Sequence, residues 1–424
     1  MSQVTQLRRA TGFAAGLYRE RYDRWYAGRF RGDALARLRL REGRRDPYAI
    51  YEEMRARGPM LPTRLGNWAT TSHPLASQVL RSRRFGVREL EGAVDGGVVH
   101  GGVHEEVDLS FLGLNPPDHT RLRRLASPAF SPRMMGVYSE KVERTVAALL
   151  DAAERRGDFD LVADFAAPLP IAVITGMMGV PAGDIDAFQR YGTALGSALD
   201  GLRSLRHARE VLRANAELEA IFESLFVLRE REPGDDLISA LVAERGDRIQ
   251  PHELVPLCSL LLVAGFETTV NLIGNAVLAL LGHPEQWQAL RDDPGLASSA
   301  VEEVLRWDPP VRETGRVAFE EIEIGGVPVR ANQWVVLLLA ATGRDPEVFP
   351  DPSRFDITRT PGVEHLAFSS GIHYCIGAPL ARLEATAALT AIAQRLPRLR
   401  QRGPMVMRSS TTIRGPLHLP VTVG

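Results

Sequence analysis

Hydrophobic residues recur along most of this 424-residue chain at the three-to-four-residue spacing of amphipathic helices. Long segments with this spacing run from about residue 118 to residue 292, and turn-forming stretches at 157–158 and 233–236 separate them. Two segments alternate as strands do instead, one around a turn at Gly66 and Asn67 and one around Gly325 and Gly326. The pattern predicts a mainly α-helical fold with small β-sheets near the two ends of the chain.

Residues 1–45 differ from the rest because they are rich in arginine and in aromatic residues. Tyr18, Tyr22, Trp25 and Tyr26 fall on one face of a predicted helix. We expect this face to pack against the body of the protein, and a helix lying on a membrane surface is the alternative. No internal repeat or low-complexity linker divides the remaining chain, so we predict an N-terminal helical extension followed by a single domain over residues 46–424.

Composition narrows the function. With 45% hydrophobic and 24% charged residues the chain can bury a large core, and its net charge of −1 argues against a nucleic-acid partner. The longest apolar stretch, residues 257–266, is shorter than the ~20 residues that cross a bilayer. Without a secretory signal we expect a cytoplasmic monomer with no transmembrane segment. Of the two cysteines, Cys258 lies in this apolar stretch and is expected in the core, and no CxxC pairs indicate zinc.

The other cysteine lies in a glycine-punctuated loop with the sequence FSSGIHYCIGAPLAR, residues 368–382. Gly371 and Gly377 let the backbone turn and approach a flat ligand closely. A helical pattern follows, which places Cys375 at a helix N-terminus, where backbone N–H groups stabilise a thiolate and favour it as a metal ligand. A buried structural thiol is the alternative, but such a thiol requires no glycines at these offsets.

A second group of candidate residues lies in the middle of a helix predicted from about residue 252 to beyond residue 280. Gly265 costs about 1 kcal/mol there relative to alanine, and crowding by a bulky ligand is one reason to keep it. Threonine hydroxyls within a helix can bond back to carbonyl groups and open room for water, so Glu267 and Thr268 could pass protons. The alternative is a solvent-facing Glu267 beside core threonines.

Four basic residues form a third group. Asp118 is a predicted N-cap for a helix on which His119 and Arg123 lie one turn apart, and Arg316 comes at the start of a strand region. His373 lies two residues before Cys375. Imidazole and guanidinium donors suit carboxylates, although each of these side chains alone could be an ordinary solvated charge.

These segments together resemble the cytochromes P-450. The cysteine loop matches the family's Phe-x-x-Gly-x-His/Arg-x-Cys-x-Gly pattern, residues 264–269 match its dioxygen-side helix, and residues 303–306 match its Glu-x-x-Arg motif. The resemblance covers nearly everything from about residue 46 and is closest to soluble bacterial members. A single lysine, Lys141, among 51 basic residues further suggests a high-GC bacterial source such as an actinomycete.

The resemblance implies a haem-thiolate fold shaped like a triangular prism, with Cys375 as the iron ligand. Thr268 would stabilise bound dioxygen and Glu267 would help to deliver protons. Residues implied to contact the haem are His119, Arg123, Ala264, Gly265, Arg316, Phe368, Gly371, His373, Cys375 and Gly377. A buried network that holds the cysteine loop in register is implied for Glu303, Arg306 and Arg354, although an acid and an arginine three residues apart are commonplace on helices.

The implied substrate pocket is lined by Val263, Ala264, Val311, Arg312, Glu313, Thr314, Thr411, Thr412 and Ile413. Arg312 and Glu313 depart from the apolar character expected there. Either they turn toward protein or solvent, or they recognise a polar group of the substrate. The glycine-rich residues 96–102 correspond to a mobile loop over the haem.

The implied cofactor is haem b, with dioxygen as co-substrate and electrons from NAD(P)H supplied by a ferredoxin reductase and a ferredoxin. A candidate docking face for the ferredoxin carries Arg121, Arg124 and Arg382. The implied reaction is monooxygenation of a bulky hydrophobic small molecule, by hydroxylation or epoxidation, in bacterial specialised metabolism such as a polyketide or macrolide pathway. The alternatives are a peroxide-driven or coupling haem-thiolate enzyme and a non-catalytic haem sensor.

Overall fold

The computed structural model describes residues 3–89, 110–200, 202–360 and 362–424. The glycine-rich residues 96–102 therefore lie outside the described residues. The α-helices are, in chain order, α1 (Gln3–Phe30), α2 (Ala34–Leu38), α3 (Arg41–Arg45), α4 (Tyr48–Arg57), α5 (His73–Arg81), α6 (Asp118–Ala126), α7 (Pro132–Arg156), α8 (Pro168–Met178), α9 (Ile185–Gly196), α10 (Leu205–Arg231), α11 (Leu237–Val242), α12 (Pro251–Gly282), α13 (Pro284–Asp292), α14 (Ala297–Trp307), α15 (Leu339–Thr342) and α16 (Ala378–Arg395).

The strands are short and belong to small sheets. They are β1 (Leu61–Pro62), β2 (Trp68–Thr70), β3 (Phe85–Gly86), β4 (Asp158–Asp160), β5 (Thr314–Ala318), β6 (Ile322–Ile324), β7 (Val327–Val329), β8 (Trp334–Leu337), β9 (Arg400–Gln401), β10 (Val406–Met407), β11 (Pro416–His418) and β12 (Pro420–Thr422). One sheet has the order β1-β2-β8-β5-β3, with β2 and β8 parallel, and a second has the order β4-β12-β9. The mainly helical fold with small sheets is confirmed.

Helix α12 forms the centre of the largest hydrophobic core. A capping box between Gln250 and Glu253 fixes its start, and Pro251 occupies the first turn, where a missing N–H costs nothing. Helices α8, α9, α10, α14 and α16 pack around it. By length and composition α12 could cross a membrane, but 83% of its most apolar window is buried inside the protein, as in the core helix of a globular domain.

Cys258 lies on α12 and is fully buried, as the sequence predicts, and burial raises the pKa of its thiol. The apolar run is longer than the stretch read from the sequence. Small polar residues such as Ser259 interrupt it but are themselves buried.

Both predicted hairpins are present. In the first, β1 begins two residues earlier than the pattern suggests, with Leu61 opposite Ala69, and the Thr63 amide donates to the Asn67 carbonyl at 2.8 Å. In the second, Gly325 and Gly326 adopt φ values of 59° and 78° between β6 and β7. Positive φ at both central residues is what a two-residue turn of this hand requires, so glycine is needed there.

The predicted packing of the α1 aromatic face is wrong. The side chains of Tyr18, Tyr22, Trp25 and Tyr26 are between 38% and 58% exposed. Leu17 and Ala27 on the opposite face are buried instead. Leu17 belongs to the largest hydrophobic core, and α1 also packs on α2. Small residues allow this close approach, because a Cβ at Gly28 would lie 3.1 Å from the backbone of Ala36.

Candidate active site

The loop that carries Cys375 is closed by its own backbone. The Cys375 amide donates to the Phe368 carbonyl at 2.9 Å, and the Tyr374 amide donates to the Gly371 carbonyl at 3.1 Å. Gly371 has a φ of 69°, and a Cβ there would collide with the Leu80 carbonyl oxygen. Gly371 is therefore required by the turn and by packing against α5.

Cys375 lies just before α16, as predicted. Burial is the largest influence on the thiol and raises its pKa, whereas the backbone N–H groups of Gly377 and Ala378 and the nearby Arg123 guanidinium act in the opposite direction. A Cβ at Gly377 would meet only the Phe130 ring, at 3.8 Å, so the backbone beside the sulfur is accessible. A metal cation bound to the sulfur would displace the thiol proton, because its positive charge outweighs the burial that disfavours the thiolate.

The four predicted basic residues come together beside this loop. The rings of His119 and His373 lie 4.2 Å apart between centroids, and Arg123 donates to the Tyr374 carbonyl at 2.6 Å. Burial and the neighbouring guanidinium groups lower the pKa of His119 to about 4 and that of His373 to about 3. Burial lowers the pKa of Arg316 to about 10. This is a largely buried basic cluster, formed by His119 and Arg316, which are buried, and Arg123 and His373, which are half-buried.

Within the part of the chain that the structure describes, neither ring nitrogen of His119 has a hydrogen-bond partner, nor does Nε2 of His373. No described carboxylate is among the charged groups that shift the pKa values of these two imidazoles or of Arg316. Burying basic groups together without an anion is costly. A haem carries two propionates and binds thiolate through its iron, so the residues present fit a haem.

The helix that carries this group starts differently from the prediction. Asp118 is the first helical residue and makes no capping bond, and the N-cap position is taken by Pro117. Asp118 instead pairs with Arg121 one turn later, at 2.9 Å. Its carboxylate still lies in the first turn, where it is favourable to the helix dipole.

Helix α12 presents an exposed Ala264 within an otherwise buried segment. The Thr268 hydroxyl donates to the Ala264 carbonyl at 2.9 Å, which confirms the predicted bond back to the helix. Gly265 has another explanation than ligand crowding. A Cβ there would lie 2.9 Å from Cδ1 of Ile174, so the glycine allows α8 to approach.

Glu267 is buried, and the solvent-facing alternative is wrong. Its Oε1 forms an ion pair with Nη1 of Arg408, at 2.5 Å. Arg408 also donates to the Asn271 side chain at 3.0 Å, and Asn271 donates to the Glu267 carbonyl at 2.7 Å. Sequence reasoning missed Arg408, which lies in a C-terminal segment that carries no motif.

The predicted buried network is correct for two of its three members. Arg306 donates to both carboxylate oxygens of Glu303 at 2.7 Å, and both side chains are almost fully buried. The prediction for Arg354 is wrong, because its side chain is 65% exposed and pairs with Asp356, and only its backbone carbonyl accepts from Arg306. Arg359, five residues further along the chain, approaches Glu303 instead, at 3.4 Å.

A neighbouring acid, which the sequence did not single out, ties α14 to the helix after Cys375. Glu302 accepts two hydrogen bonds from Arg382, at 2.7 and 3.0 Å, and His365 lies 3.2 Å from it. Burial alone would raise the pKa of Glu302, but these donors outweigh it and lower the pKa to about 2. Through this pair α14 is bonded to the helix that begins beside the cysteine.

The two predicted pocket segments after α14 and near the C-terminus lie side by side. Val311 and Ile413 form a β-bridge, and the Arg312 amide donates to the Thr412 carbonyl at 2.9 Å. The Arg408–Glu267 ion pair connects this C-terminal segment to α12, which carries Val263.

The side chains of Arg312 and Glu313 turn toward the protein, so their placement in the pocket lining is wrong. Arg312 is buried and lies 3.3 Å from the Tyr51 hydroxyl, and Glu313 accepts from Arg39 at 2.7 Å. Arg39 also donates to the Thr411 hydroxyl, and Thr314 accepts from Arg316. The Glu313 carboxylate and Nη2 of Arg312 have partners within the fold, whereas Nε and Nη1 of Arg312 are buried without a hydrogen-bond partner among the described residues.

The three arginines of the predicted docking face differ in their pairing. Arg121 is bidentate to Glu253 at 2.6 and 2.9 Å, and Arg382 is bound to Glu302 as above. Arg124 is exposed. Two of the three positive charges are therefore balanced locally.

The helical fold and the cysteine loop beside a buried basic cluster define a haem-thiolate protein. A family model described as Cytochrome P450 matches residues 295–407. The chain is 39% identical over 399 residues to cytochrome P450 monooxygenase PikC of Streptomyces venezuelae, covering 89% of this chain and 91% of that protein. The chain belongs to the cytochrome P450 family and is a monooxygenase of that family.

Two solved structures are also similar. One is P450BioI in complex with an acyl carrier protein ligated to hexadec-9Z-enoic acid, with a TM-score of 0.83, 38% identity and coverage of 90% of this chain and 99% of that chain. The other is PksS, the cytochrome P450 of the bacillaene polyketide synthase of Bacillus subtilis 168, with a TM-score of 0.82, 31% identity and coverage of 91% and 99%.

Proposed function

We propose that this monooxygenase inserts one oxygen atom from dioxygen into a bulky hydrophobic small molecule, by hydroxylation or epoxidation, in bacterial specialised metabolism. The observation that carries the proposal is the arrangement around Cys375. A thiol with two backbone N–H groups aimed at it lies beside a basic cluster in which three imidazole nitrogens lack partners among the described residues. The substrate class is supported by kinship with proteins named for acyl and polyketide chemistry.

The cofactor we propose is haem b, which when bound supplies the activation of dioxygen that amino-acid side chains cannot provide. Cys375 would hold the iron, with the Gly377 and Ala378 amides stabilising the thiolate charge. His119, Arg123, Arg316 and His373 would hold the two propionates. Ala264 would allow close approach on the other face, because its short side chain is exposed there.

Two groups on α12 handle protons in this proposal. The Thr268 hydroxyl uses its hydrogen on the Ala264 carbonyl, which leaves its oxygen lone pairs as acceptors toward the open face of the helix. Glu267 is the proposed proton carrier, and it is held by Arg408. Transfer of a proton to or from Glu267 therefore requires this ion pair to lengthen.

The proposed electron source is NAD(P)H, through a ferredoxin reductase and a ferredoxin that docks near Arg124. We further propose that the protein acts in the cytoplasm as a monomer. The exposed charge of Arg124, on the helix whose Arg123 contacts the Cys375 loop, supports this docking position.

The Arg408–Glu267 pair favours a second candidate function. An enzyme driven by peroxide receives its oxygen already reduced and needs less proton delivery, so a restrained acid would be tolerated. Coupling chemistry without oxygen insertion belongs to the same alternative.

Two measurements test the proposal. The reduced protein with carbon monoxide should show the Soret shift of thiolate-ligated haem. Turnover of hydrophobic candidate substrates, chosen by the spin shift they induce, should then require ferredoxin, reductase and NAD(P)H. Absence of the Soret shift contradicts the haem-thiolate assignment. Turnover that peroxide supports but ferredoxin, reductase and NAD(P)H do not would contradict the reductive route and support the second candidate.

A further inference from the structure

The exposed face of α1 is unusual for this protein. Every exposed large aromatic side chain in the described part of the chain lies on this helix: Tyr18, Tyr22, Trp25, Tyr26 and Phe30, with exposures between 38% and 60%. The rings of Tyr22, Trp25, Tyr26 and Phe30 form a continuous row, with centroids of neighbouring pairs 5.2 to 6.1 Å apart, and Tyr18 lies one helical turn before Tyr22. A contiguous exposed apolar patch on a folded protein marks an interaction surface.

The same helix concentrates positive charge. Residues 1–31 carry seven arginines against two acidic residues, a net charge of +5 in a chain whose total is −1, so the remainder carries −6. Two guanidinium groups lie against the aromatic row, that of Arg29 at 5.7 Å from the Phe30 ring and that of Arg31 at 5.6 Å from the Tyr26 ring. The face is therefore both aromatic and cationic.

We propose that α1 docks this protein on a membrane surface that carries anionic lipid, with the aromatic row at the level of the headgroups. Tryptophan and tyrosine prefer this interface because their rings are apolar while their N–H and O–H groups reach water. Arginines beside them attract anionic headgroups. The opposite face, with Leu17 and Ala27, is already packed on the body of the protein, so the helix would lie on the membrane and not cross it.

A lipid surface fits this face better than a protein does. Positions 18 to 30 span about 18 Å of a single convex helix. A protein partner would need a groove around such a row, whereas a bilayer interface admits it directly. The attraction to anionic lipid follows from the sign of the charge. Two copies that met through their α1 faces would instead bring like charges together.

The aromatic face of α1 lies near the C-terminal segment, residues 411–413, that forms one wall of the proposed substrate pocket. Arg21 donates to the Arg203 carbonyl, and the Arg203 guanidinium lies 3.4 Å from the Ser409 hydroxyl, two residues before Thr411. Docking would bring this wall close to lipid, from which a hydrophobic substrate could enter. That consequence rests on the proposed function, whereas the docking itself does not.

The test is co-sedimentation of the purified holoprotein with vesicles of phosphatidylcholine alone and of phosphatidylcholine mixed with phosphatidylglycerol. We expect binding to the mixed vesicles, a large loss of it in Y22S/W25S, and a loss of about 25-fold in R29Q/R31Q, since each arginine near an anionic surface contributes about fivefold. V137S/V227S, which removes two exposed aliphatic side chains elsewhere, is the matched control and should bind as the wild type does. The carbon monoxide spectrum verifies that each variant remains folded.

Quenching of Trp25 fluorescence by brominated lipid supplies a second readout, absent in W25F, because Trp25 is the exposed tryptophan among those described. Failure to bind the mixed vesicles overturns the proposal. So does equal loss of binding in the control variant. Self-association that Y22S/W25S abolishes, or capture of an acidic protein by α1 with no vesicle binding, would assign the face to a protein partner instead. Turnover is not part of this readout, so its outcome is independent of the proposed reaction.

Discussion

The roles of Arg354 and Arg359 provide a sharp test of the structure, because the sequence resemblance and the geometry disagree about them. We expect R359Q to destabilise the protein and R354Q to leave its stability nearly unchanged. Both substitutions remove one positive charge and keep a polar side chain of intermediate length, so each is the matched control for the other.

The expected magnitudes follow from the contacts of each side chain. The Arg359 guanidinium donates to the carbonyls of Pro350, Asp351 and Arg354 at 2.6 to 3.2 Å and lies 3.4 Å from buried Glu303, with only 20% of its side chain exposed. Each of these hydrogen bonds contributes roughly 1 kcal/mol, and water replaces part of what the substitution removes. Loss of the guanidinium should therefore lower the free energy of unfolding by about 2–3 kcal/mol.

The Arg354 side chain is 65% exposed and lies 3.5 Å from Asp356, and exposed pairs of this kind contribute about 0–1 kcal/mol. Its backbone carbonyl, which accepts from Arg306, survives the substitution. R354Q should therefore remain close to the wild type.

The assay is urea unfolding of the holoprotein followed by the Soret band, with the shift in midpoint converted to free energy through the common slope. R359Q should unfold at clearly lower urea than R354Q. Equal destabilisation by the two variants, or a larger loss in R354Q, would refute the reasoning and restore Arg354 as the third member of the network.

Three further outcomes are expected. E267Q should lower ferredoxin-driven turnover by about 100-fold, the usual loss for a general acid, and spare peroxide-driven turnover, so an equal loss in both assays would remove Glu267 from proton delivery. In the haem-free chain, burial lowers the pKa of His119 to about 4 and that of His373 to about 3, below the ordinary 6.5. As the pH falls below 6.5, the unfolded chain therefore binds protons before the folded chain does, so the free energy of unfolding should fall toward pH 4. The urea midpoint should depend less on pH in H373Q than in the wild type. R124Q should raise the KM for ferredoxin and weaken its salt dependence without changing kcat in steady-state assays, and an unchanged KM would exclude this docking position.

Local features of this fold were predictable from the sequence because they depend on nearby residues. The apolar spacing predicted α12 within two residues of its observed bounds, and paired glycines predicted the turn between β6 and β7. The loop around Cys375 was predicted for the same reason, since its glycines, cysteine and following helix are adjacent in sequence.

Contacts between distant segments were not predictable. The periodicity of α1 places its aromatic residues on one face, but it does not say whether that face or the one with Leu17 meets the body of the protein. Likewise, the sequence marks Glu267 as important and cannot name Arg408, because the ion pair depends on how the C-terminal segment folds back on α12. Arg359 was missed because the sequence offers two nearby arginines, and the motif pointed to Arg354.

The central claim is that Cys375 holds a haem through its thiolate. The most direct test is the reduced carbon monoxide difference spectrum of C375S beside that of C258S, since the second variant changes the other cysteine in the chain, which lies in the core. We expect C258S to retain the Soret position of thiolate ligation and C375S to lose it. Retention of the thiolate signal in C375S, or its loss only in C258S, would contradict the account.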